Sequence, residues 1–288
     1  MNKQKILVLG STGMAGHVIT TFLTEQEKYE VFNLARKKKL NEKSYLLDAS
    51  DFTKLDLFLD KENFAVIINC IGILNQFADE FKGRAILLNS YLPHFLADKY
   101  QGTGTKIIHL STDCVFSGKT GSYLETSYKD SDSFYGRTKA LGEICNNRNT
   151  TIRTSIIGPD LSNSGIGLFN WFMHSQGSVK GFANSIWTGI TTIELAKAIE
   201  KIIDQDLTGI YHLVPEKSIS KYELLVIFKE VFQRDQVCVR EYANEFNDKS
   251  LMNTRCDFDY KIPDYQFMAT EMKEWILHHK SFYAHYDI

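Results

Sequence analysis

The stretch Lys5-Ile-Leu-Val-Leu-Gly10-Ser-Thr-Gly13-Met-Ala-Gly16 decides the fold. Its first residues form a short apolar run, the mark of a buried strand. Glycines at 10, 13 and 16 follow. From about 14 to 27, apolar residues then recur at helical spacing, with Val18, Ile19, Phe22 and Leu23 on one face. A strand, a glycine turn and a helix in direct succession make a phosphate cradle. The glycines permit a tight turn, the close approach of a pyrophosphate to the backbone, and close packing of helix on sheet. The helix N-terminus adds free amides and positive potential. A glycine-rich turn without a ligand is the competing reading, and the strand–helix context weighs against it.

Working outward, the alternation continues. Strands are expected at 5–10, 29–35, 44–48, 65–72, 106–113 and 151–157. Helices are expected at 14–27, 51–61, 75–100 (interrupted near Gly83) and 134–146. Nearly continuous apolar strands separated by helices indicate an α/β fold, with a doubly wound parallel sheet covered on both faces. After Gly158-Pro159 a Ser/Asn/Gly-rich loop changes the pattern. Helices at 168–174, 191–204, 221–232 and 269–278 and strands at 209–214 and 237–241 are shorter and less regular. The expected organisation is a dinucleotide-binding domain over 1–157, joined by part of 189–214. A smaller α/β substrate-binding region over 158–288 would lie at the C-terminal edge of the sheet, where ligands of open α/β folds bind.

Bulk properties exclude several classes. A net charge of −2 offers no broad nucleic-acid or membrane surface, and the basic run Arg36–Lys39 is the one dense cationic cluster. The five cysteines are scattered without Cys-x-x-Cys spacing, and the eight histidines lack ligand spacing, so no disulfide frame or metal site is expected. No apolar segment approaches the roughly 18 residues of a membrane span, and the N-terminus lacks signal-peptide anatomy. A soluble cytoplasmic protein is expected, and a homodimer is compatible with the sequence.

The ends of the other strands carry the chemistry. An acid near the end of the second strand would favour NAD by binding the ribose hydroxyls. Here the strand ends Ala35-Arg36-Lys37, two cations that would welcome a 2′-phosphate. NADP(H) is therefore preferred, with NAD(H) retained; a solvated basic loop is the competing reading. Asp48 could accept a hydrogen bond from an adenine amino group or cap the next helix, although Asp51 suits the cap better. Gly72 would let a cofactor ribose approach the backbone. Ser111-Thr112-Asp113 ends the fifth strand, and Tyr135 and Lys139 follow four apart, on one helix face. A fixed Lys charge is expected to lower the Tyr pKa from about 10 toward neutrality, where the phenol can act as general acid or base. Trp187 could line a substrate pocket or anchor the second layer.

Together these residues resemble the extended short-chain dehydrogenase/reductase superfamily, and within it the dTDP-4-dehydrorhamnose reductase (RmlD-like) family. The likeness is carried by Gly10-x-x-Gly13-x-x-Gly16, Ser111-Thr-Asp-Cys-Val-Phe-Ser-Gly118, Tyr135-Gly-Arg-Thr-Lys139-Ala-Leu-Gly-Glu143 and Arg153-Thr-Ser-Ile-Ile157. It implies a Rossmann-type fold and NADPH-dependent reduction of a nucleotide-linked 4-keto-6-deoxy sugar for cell-surface polysaccharide synthesis. By the same resemblance Thr112 would bind the sugar carbonyl region, Tyr135 would donate the proton, and Lys139 would hold the nicotinamide ribose. Gly10, Thr12, Gly13, Met14, Ala15, Gly16, Arg36, Lys37, Asp48, Ala49, Ile71, Gly72 and Ile73 would line the cofactor. Asp113, Ile156 and Trp187 would face the substrate.

Two positions depart from the family. Cys114 stands where a Tyr is usual, and Ile156 where an aromatic residue contacts sugar. Both point to a substrate other than the rhamnose precursor, such as a UDP-linked 2-acetamido-2,6-dideoxy-4-ketohexose. A sugar dehydratase would place Asp-Glu after the catalytic Thr; here the pair is Asp113-Cys114, so dehydratase and epimerase rank lower. A rival from another class is a non-catalytic, NADP-binding regulatory subunit, such as the family's partner of methionine adenosyltransferase.

Overall fold

The computed structural model describes residues 3–243 and 245–288. In the first half β1 (Gln4–Leu9), β2 (Tyr29–Ala35), β3 (Ser44–Leu46), β4 (Val66–Asn69), β5 (Lys106–Leu110) and β6 (Thr150–Arg153) alternate with helices. These are α1 (Met14–Glu25), α2 (Phe52–Leu59), α3 (Asn75–Glu80), α4 (Lys82–Ala85), α5 (Leu92–Lys99) and α6 (Phe134–Leu141). The second half adds β7 (Ile156–Ile157), α7 (Leu168–His174), β8 (Gly177–Phe182), β9 (Ser185–Trp187), β10 (Ile190–Thr191) and α8 (Thr192–Asp204). It continues with β11 (Gly209–His212), β12 (Ile219–Ser220), α9 (Lys221–Val231), β13 (Val237–Tyr242), β14 (Asn247–Asp248) and α10 (Tyr265–His278).

Seven strands form one parallel sheet in the order β11-β6-β5-β4-β1-β2-β3. The order reverses on either side of β1, so the exits of β1 and β4 open the crevice where ligands of such sheets bind. Alternate strand residues point to opposite faces. Ile6, Val8, Ile68 and Ile108 pack toward α1 and α8 through Val18, Ile19, Ile199 and Ile202. Leu7, Leu9, Ile67 and Ile107 pack toward α2 and α5 through Leu55, Leu59, Leu92 and Leu96. The fold is the expected Rossmann-type α/β sheet, with helices on both faces. No helix among the described residues is long and apolar enough to cross a membrane.

Several boundaries differ from the sequence reading. The helical stretch 75–100 is interrupted at Phe81, close to the break expected near Gly83, and again, unexpectedly, by a π-helical turn at Ile86–Tyr91. Pro93 explains the second break: it lacks an N–H and crowds the carbonyl four residues back, and a widened turn removes that clash. Helix α6 stops at Leu141, not near 146, because its C-cap Gly142 touches the π turn. A Cβ there would lie 1.9 Å from the Asn89 carbonyl oxygen. Strand β8 was not legible; its glycines and its Lys180 dilute the strand signal, and it is held by parallel pairing to the distant β13.

Past Gly142 the chain turns Glu143 into the interior, where it meets Arg153 of β6. The Arg153 Nε and Nη2 groups donate to the two Glu143 oxygens at 2.6 and 2.8 Å. Ser111 Oγ and Lys129 Nζ donate to the same carboxylate at 2.8 and 3.1 Å. Arg153 Nη1 donates to the Glu125 carbonyl at 3.0 Å and lies 3.1 Å from His212 Nε2. One side chain thus ties the end of β5, β6, β11 and the exit of α6. Burial alone would raise the Glu143 pKa; the bonds from Arg153 outweigh it and hold the carboxyl below its usual 4.5. Its folded pKa is depressed, so the pair's stabilisation is present above the unfolded pKa and is lost as pH falls through the folded one. Glu143→Gln should cost about 3–5 kcal/mol, because it strands a buried guanidinium. Denaturant midpoints should show this loss together with a shallower acid limb, and Glu143→Leu/Arg153→Met should be more stable than either single change.

Candidate active site

The turn after β1 has the geometry a dinucleotide requires. Gly10 has φ +82°, and a Cβ on it would lie 3.0 Å from Ile71 Cγ1. Gly13 caps α1 with no side-chain hydrogen bond, so the first amides of the helix stay available. A Cβ on Gly16 would stand 2.2 Å from the Gly10 carbonyl oxygen, so this glycine sets the packing of helix against turn. Ser11 Oγ is buried with no hydrogen-bond partner among the described residues.

A cavity of about 290 Å³ opens over this turn. It brings together Gly10, Thr12, Gly13, Arg36, Asp48, Ala49, Ile71, Gly72 and Ile73, all singled out from sequence, and adds Leu34, Leu47, Cys70, Arg84 and Leu88. Met14, Ala15 and Gly16, also expected there, form the first turn of α1 and do not line it. Lys37 is exposed and does not line it. The second cation that lines it is Arg84, which sequence reasoning missed. Its Nη2 reaches both Asp48 oxygens at 2.9 and 2.7 Å, and Asp48 also accepts from Ser50. Burial would raise Asp48, but Arg84 and Ser50 bring it down to about 2.

Asn89, fully buried in the π turn, fixes the far wall. Its side chain accepts from the Ile73 amide at 2.7 Å and donates to the Ile73 carbonyl at 3.0 Å and to Thr138 Oγ1 at 3.1 Å. It therefore joins the cavity to α6, one residue from Lys139. An Asn among apolar helix positions carries no local signal for this role.

Tyr135 is buried in a small cluster with Ala78 and Ala85, against which Ile73 of the first cavity and Cys114 both pack. Tyr135, Thr112 and Lys139 themselves line neither that cavity nor the one beside Cys114. Cys114 lines a second cavity of about 210 Å³, with Asp113, Ile156 and Trp187 from the expected substrate set. Thr112 caps the short turn at Asp113–Val115; its Oγ1 accepts from the Cys114 amide at 3.1 Å and donates to Asp113 at 3.0 Å. Lys139 Nζ donates to the Leu110 carbonyl at 2.7 Å and lies 3.4 Å from His109 Nε2. His109 Nδ1 in turn lies 3.2 Å from the Asn69 side-chain amide. Burial pulls Lys139 down to about 8, against the opposing pull of Glu143 and Cys70.

The phenol corrects the sequence reading. Burial pushes the Tyr135 pKa above its ordinary 10, Cys114 and Asp113 push it further, and a hydrogen bond with Thr112 opposes them. Lys139 is held by Leu110 and His109, so the expected lowering toward neutrality is not found. A phenol in this state is protonated at neutral pH, the form a proton donor needs.

The chain is similar to known proteins along most of its length. The dTDP-4-dehydrorhamnose reductase of Aggregatibacter actinomycetemcomitans is 26% identical over 247 residues, covering 78% of this chain and 79% of its own. Methionine adenosyltransferase 2 subunit beta of Xenopus tropicalis is 25% identical over 259 residues, covering 84% of this chain and 76% of its own. Among solved structures, the dTDP-4-dehydrorhamnose reductase of Bacillus anthracis str. Ames, in complex with NADP, superposes with a TM-score of 0.81. It covers 95% of this chain and 100% of its own at 19% identity, a likeness of fold. The family model for the RmlD substrate binding domain matches residues 4–256, spanning both the glycine turn and the Thr112–Tyr135–Lys139 set, and the chain belongs to that family.

Proposed function

We propose that this protein is a cytoplasmic, NADPH-dependent reductase of a nucleotide-linked 4-keto-6-deoxy sugar, serving cell-surface polysaccharide synthesis. The observation that carries the reading is the buried Tyr135 cluster, on which Ile73 of the glycine-walled cavity and Cys114 of the second pocket both pack. The first cavity fits part of a nicotinamide dinucleotide: a Cβ would fill the cradle at Gly10, no side chain caps the amides at the start of α1, and Arg36 offers a cation for a 2′-phosphate beside the Arg84–Asp48 pair. Such a cofactor supplies hydride when bound. Residues 158–187 and 215–288 then form the bulk of the substrate-binding region.

The chain's own groups do the rest. Thr112 orients the sugar carbonyl oxygen beside Tyr135. The neutral phenol gives its proton to the oxygen as negative charge develops there, and the Lys139 charge holds the nicotinamide ribose. Asp113 and Trp187 shape the sugar side. Cys114 leaves no acid after Asp113, which speaks against elimination of water. Cys114 and Ile156 together favour a sugar other than the rhamnose precursor, with a UDP-linked 2-acetamido-2,6-dideoxy-4-ketohexose as the leading candidate and a dTDP-linked sugar as the other. The likeness to methionine adenosyltransferase 2 subunit beta supports a second reading, a regulatory subunit that binds NADP without consuming it.

Two measurements test the leading reading. Tyr135→Phe should lose roughly a hundredfold or more in turnover while keeping NADPH affinity, the usual scale for an acid–base group. Turnover near the wild-type value would remove Tyr135 from its role. Lys139 is depressed to about 8, so its charge is present below that pH and lost above it. The apparent kcat/KM for NADPH should therefore fall as pH rises through about 8. Lys139→Arg, whose guanidinium keeps its charge, should abolish that limb. A flat wild-type profile across this range would contradict the assignment.

A further inference from the structure

His109 of β5 takes no part in the proposed proton transfer, yet it is wholly buried beside Lys139. Its Nε2 lies 3.4 Å from the Lys139 Nζ. Its other ring nitrogen, Nδ1, lies 3.2 Å from the side-chain nitrogen of Asn69, which ends β4. Asn69 is also wholly buried, and the direction of its amide is fixed. Its Oδ1 accepts the Ile71 N–H at 3.1 Å, at the wall of the first cavity. Turning the amide over would set its NH2 group against that N–H and leave a donor unpaired. The NH2 group therefore faces the imidazole.

This places the ring's proton. Facing an NH2 group, Nδ1 accepts, and a neutral imidazole that accepts at one nitrogen carries its hydrogen on the other. The ring is neutral, because burial first, and then the charges of Lys139 and His94, hold His109 well below 6.5. Its hydrogen therefore sits on Nε2 and points at Lys139. A neutral amine would accept it; an ammonium meets it donor against donor, which disfavours the charged form. The Leu110 carbonyl satisfies one hydrogen of the ammonium, at 2.7 Å. The other titratable groups acting on Lys139 are Glu143, past the end of α6, and Cys70, past the end of β4; both favour its charge, against the larger effect of burial. Glu143 is committed to Arg153, and burial raises the Cys70 thiol, which stays neutral.

We propose that His109 is a positioning residue whose hydrogen, locked on Nε2 by Asn69, opposes a proton on Lys139 and so sets when that lysine is charged. The consequence for turnover rests on the reductase reading, in which a charged Lys139 holds the nicotinamide ribose. The place of the ring's hydrogen does not, and it is read without cofactor or sugar. Nitrogen NMR of the 15N-histidine-labelled wild-type protein, with His109 assigned through its bonds to the backbone, should show a neutral ring protonated at Nε2 from about pH 6 to about 9. A ring protonated at Nδ1, or at both nitrogens, overturns the lock. Asn69→Asp keeps the shape but offers an acceptor to both Ile71 and the ring, so the hydrogen should move to Nδ1; an unmoved hydrogen in the folded variant also overturns it. In the pH profile of kcat/KM for NADPH, Asn69→Asp and His109→Gln each give Lys139 an acceptor. The alkaline limb near 8 should rise by about one pH unit, a tenfold gain in proton affinity. Slower turnover with an unmoved limb would make His109 merely structural and overturns the proposal. Should the variants fail to fold, the wild-type spectrum decides alone. Failure to turn over any nucleotide sugar would sink the reductase reading, and the spectrum would still decide the lock.

Discussion

The buried ion pair between Glu143 and Arg153 is the constraint on which the rest of the site depends. Its side chains are almost wholly out of solvent, at 0% and 2% exposure. Such pairs add little net stability over an apolar core of the same shape, because desolvation offsets the attraction. What this one supplies is geometry. Ser111 holds the carboxylate from the end of β5, Arg153 from β6, and Lys129 from the loop before α6. The guanidinium, in turn, carries Glu125 and His212 with it. Strand end, helix exit and neighbouring loop share one hub, next to Thr112 at the strand end and to Lys139 in the last turn of α6.

Close backbone approach does the same on the other side of α6. Gly142 lies against Asn89, and the Asn89 amide grips both the N–H and C=O of Ile73. The wall of the first cavity and the helix carrying Tyr135 are therefore joined directly. Electrostatics follows from this burial. The phenol is held protonated and the ammonium is held close to losing its proton. Both shifts come first from desolvation, and fold analogy alone would not reveal them. This matters because the same scaffold hosts unrelated functions, and the site decides among them.

The sheet was legible because its strands are unbroken apolar runs between helical patterns, and the glycine turn was legible because each glycine has a steric reason. The candidate residues Thr112, Tyr135 and Lys139 were readable from their order, and Arg36 from its place at a strand end. Other features were silent. Arg84 acts by reaching across to Asp48, 36 positions earlier in the chain, and nothing local in α4 shows that. Lys37, its neighbour Arg36 notwithstanding, turned out to face solvent. The π turn depends on Pro93 crowding a carbonyl, and β8 depends on pairing with β13. The direction of the Tyr135 shift required knowing that Lys139 is engaged by Leu110 and His109. Periodicity reads local preference, and each of these features is tertiary.

The central claim is that Tyr135 completes a hydride transfer to a sugar carbonyl. The most direct measurement is a single turnover with NADPH deuterated at its transferable position, together with UDP- or dTDP-linked 4-keto-6-deoxy sugars, followed by NMR of the sugar. The account predicts one deuterium at C4 of the reduced sugar and none in water. Tight NADPH binding with the sugar and the label both unchanged would contradict it, and would assign the chain to binding without chemistry.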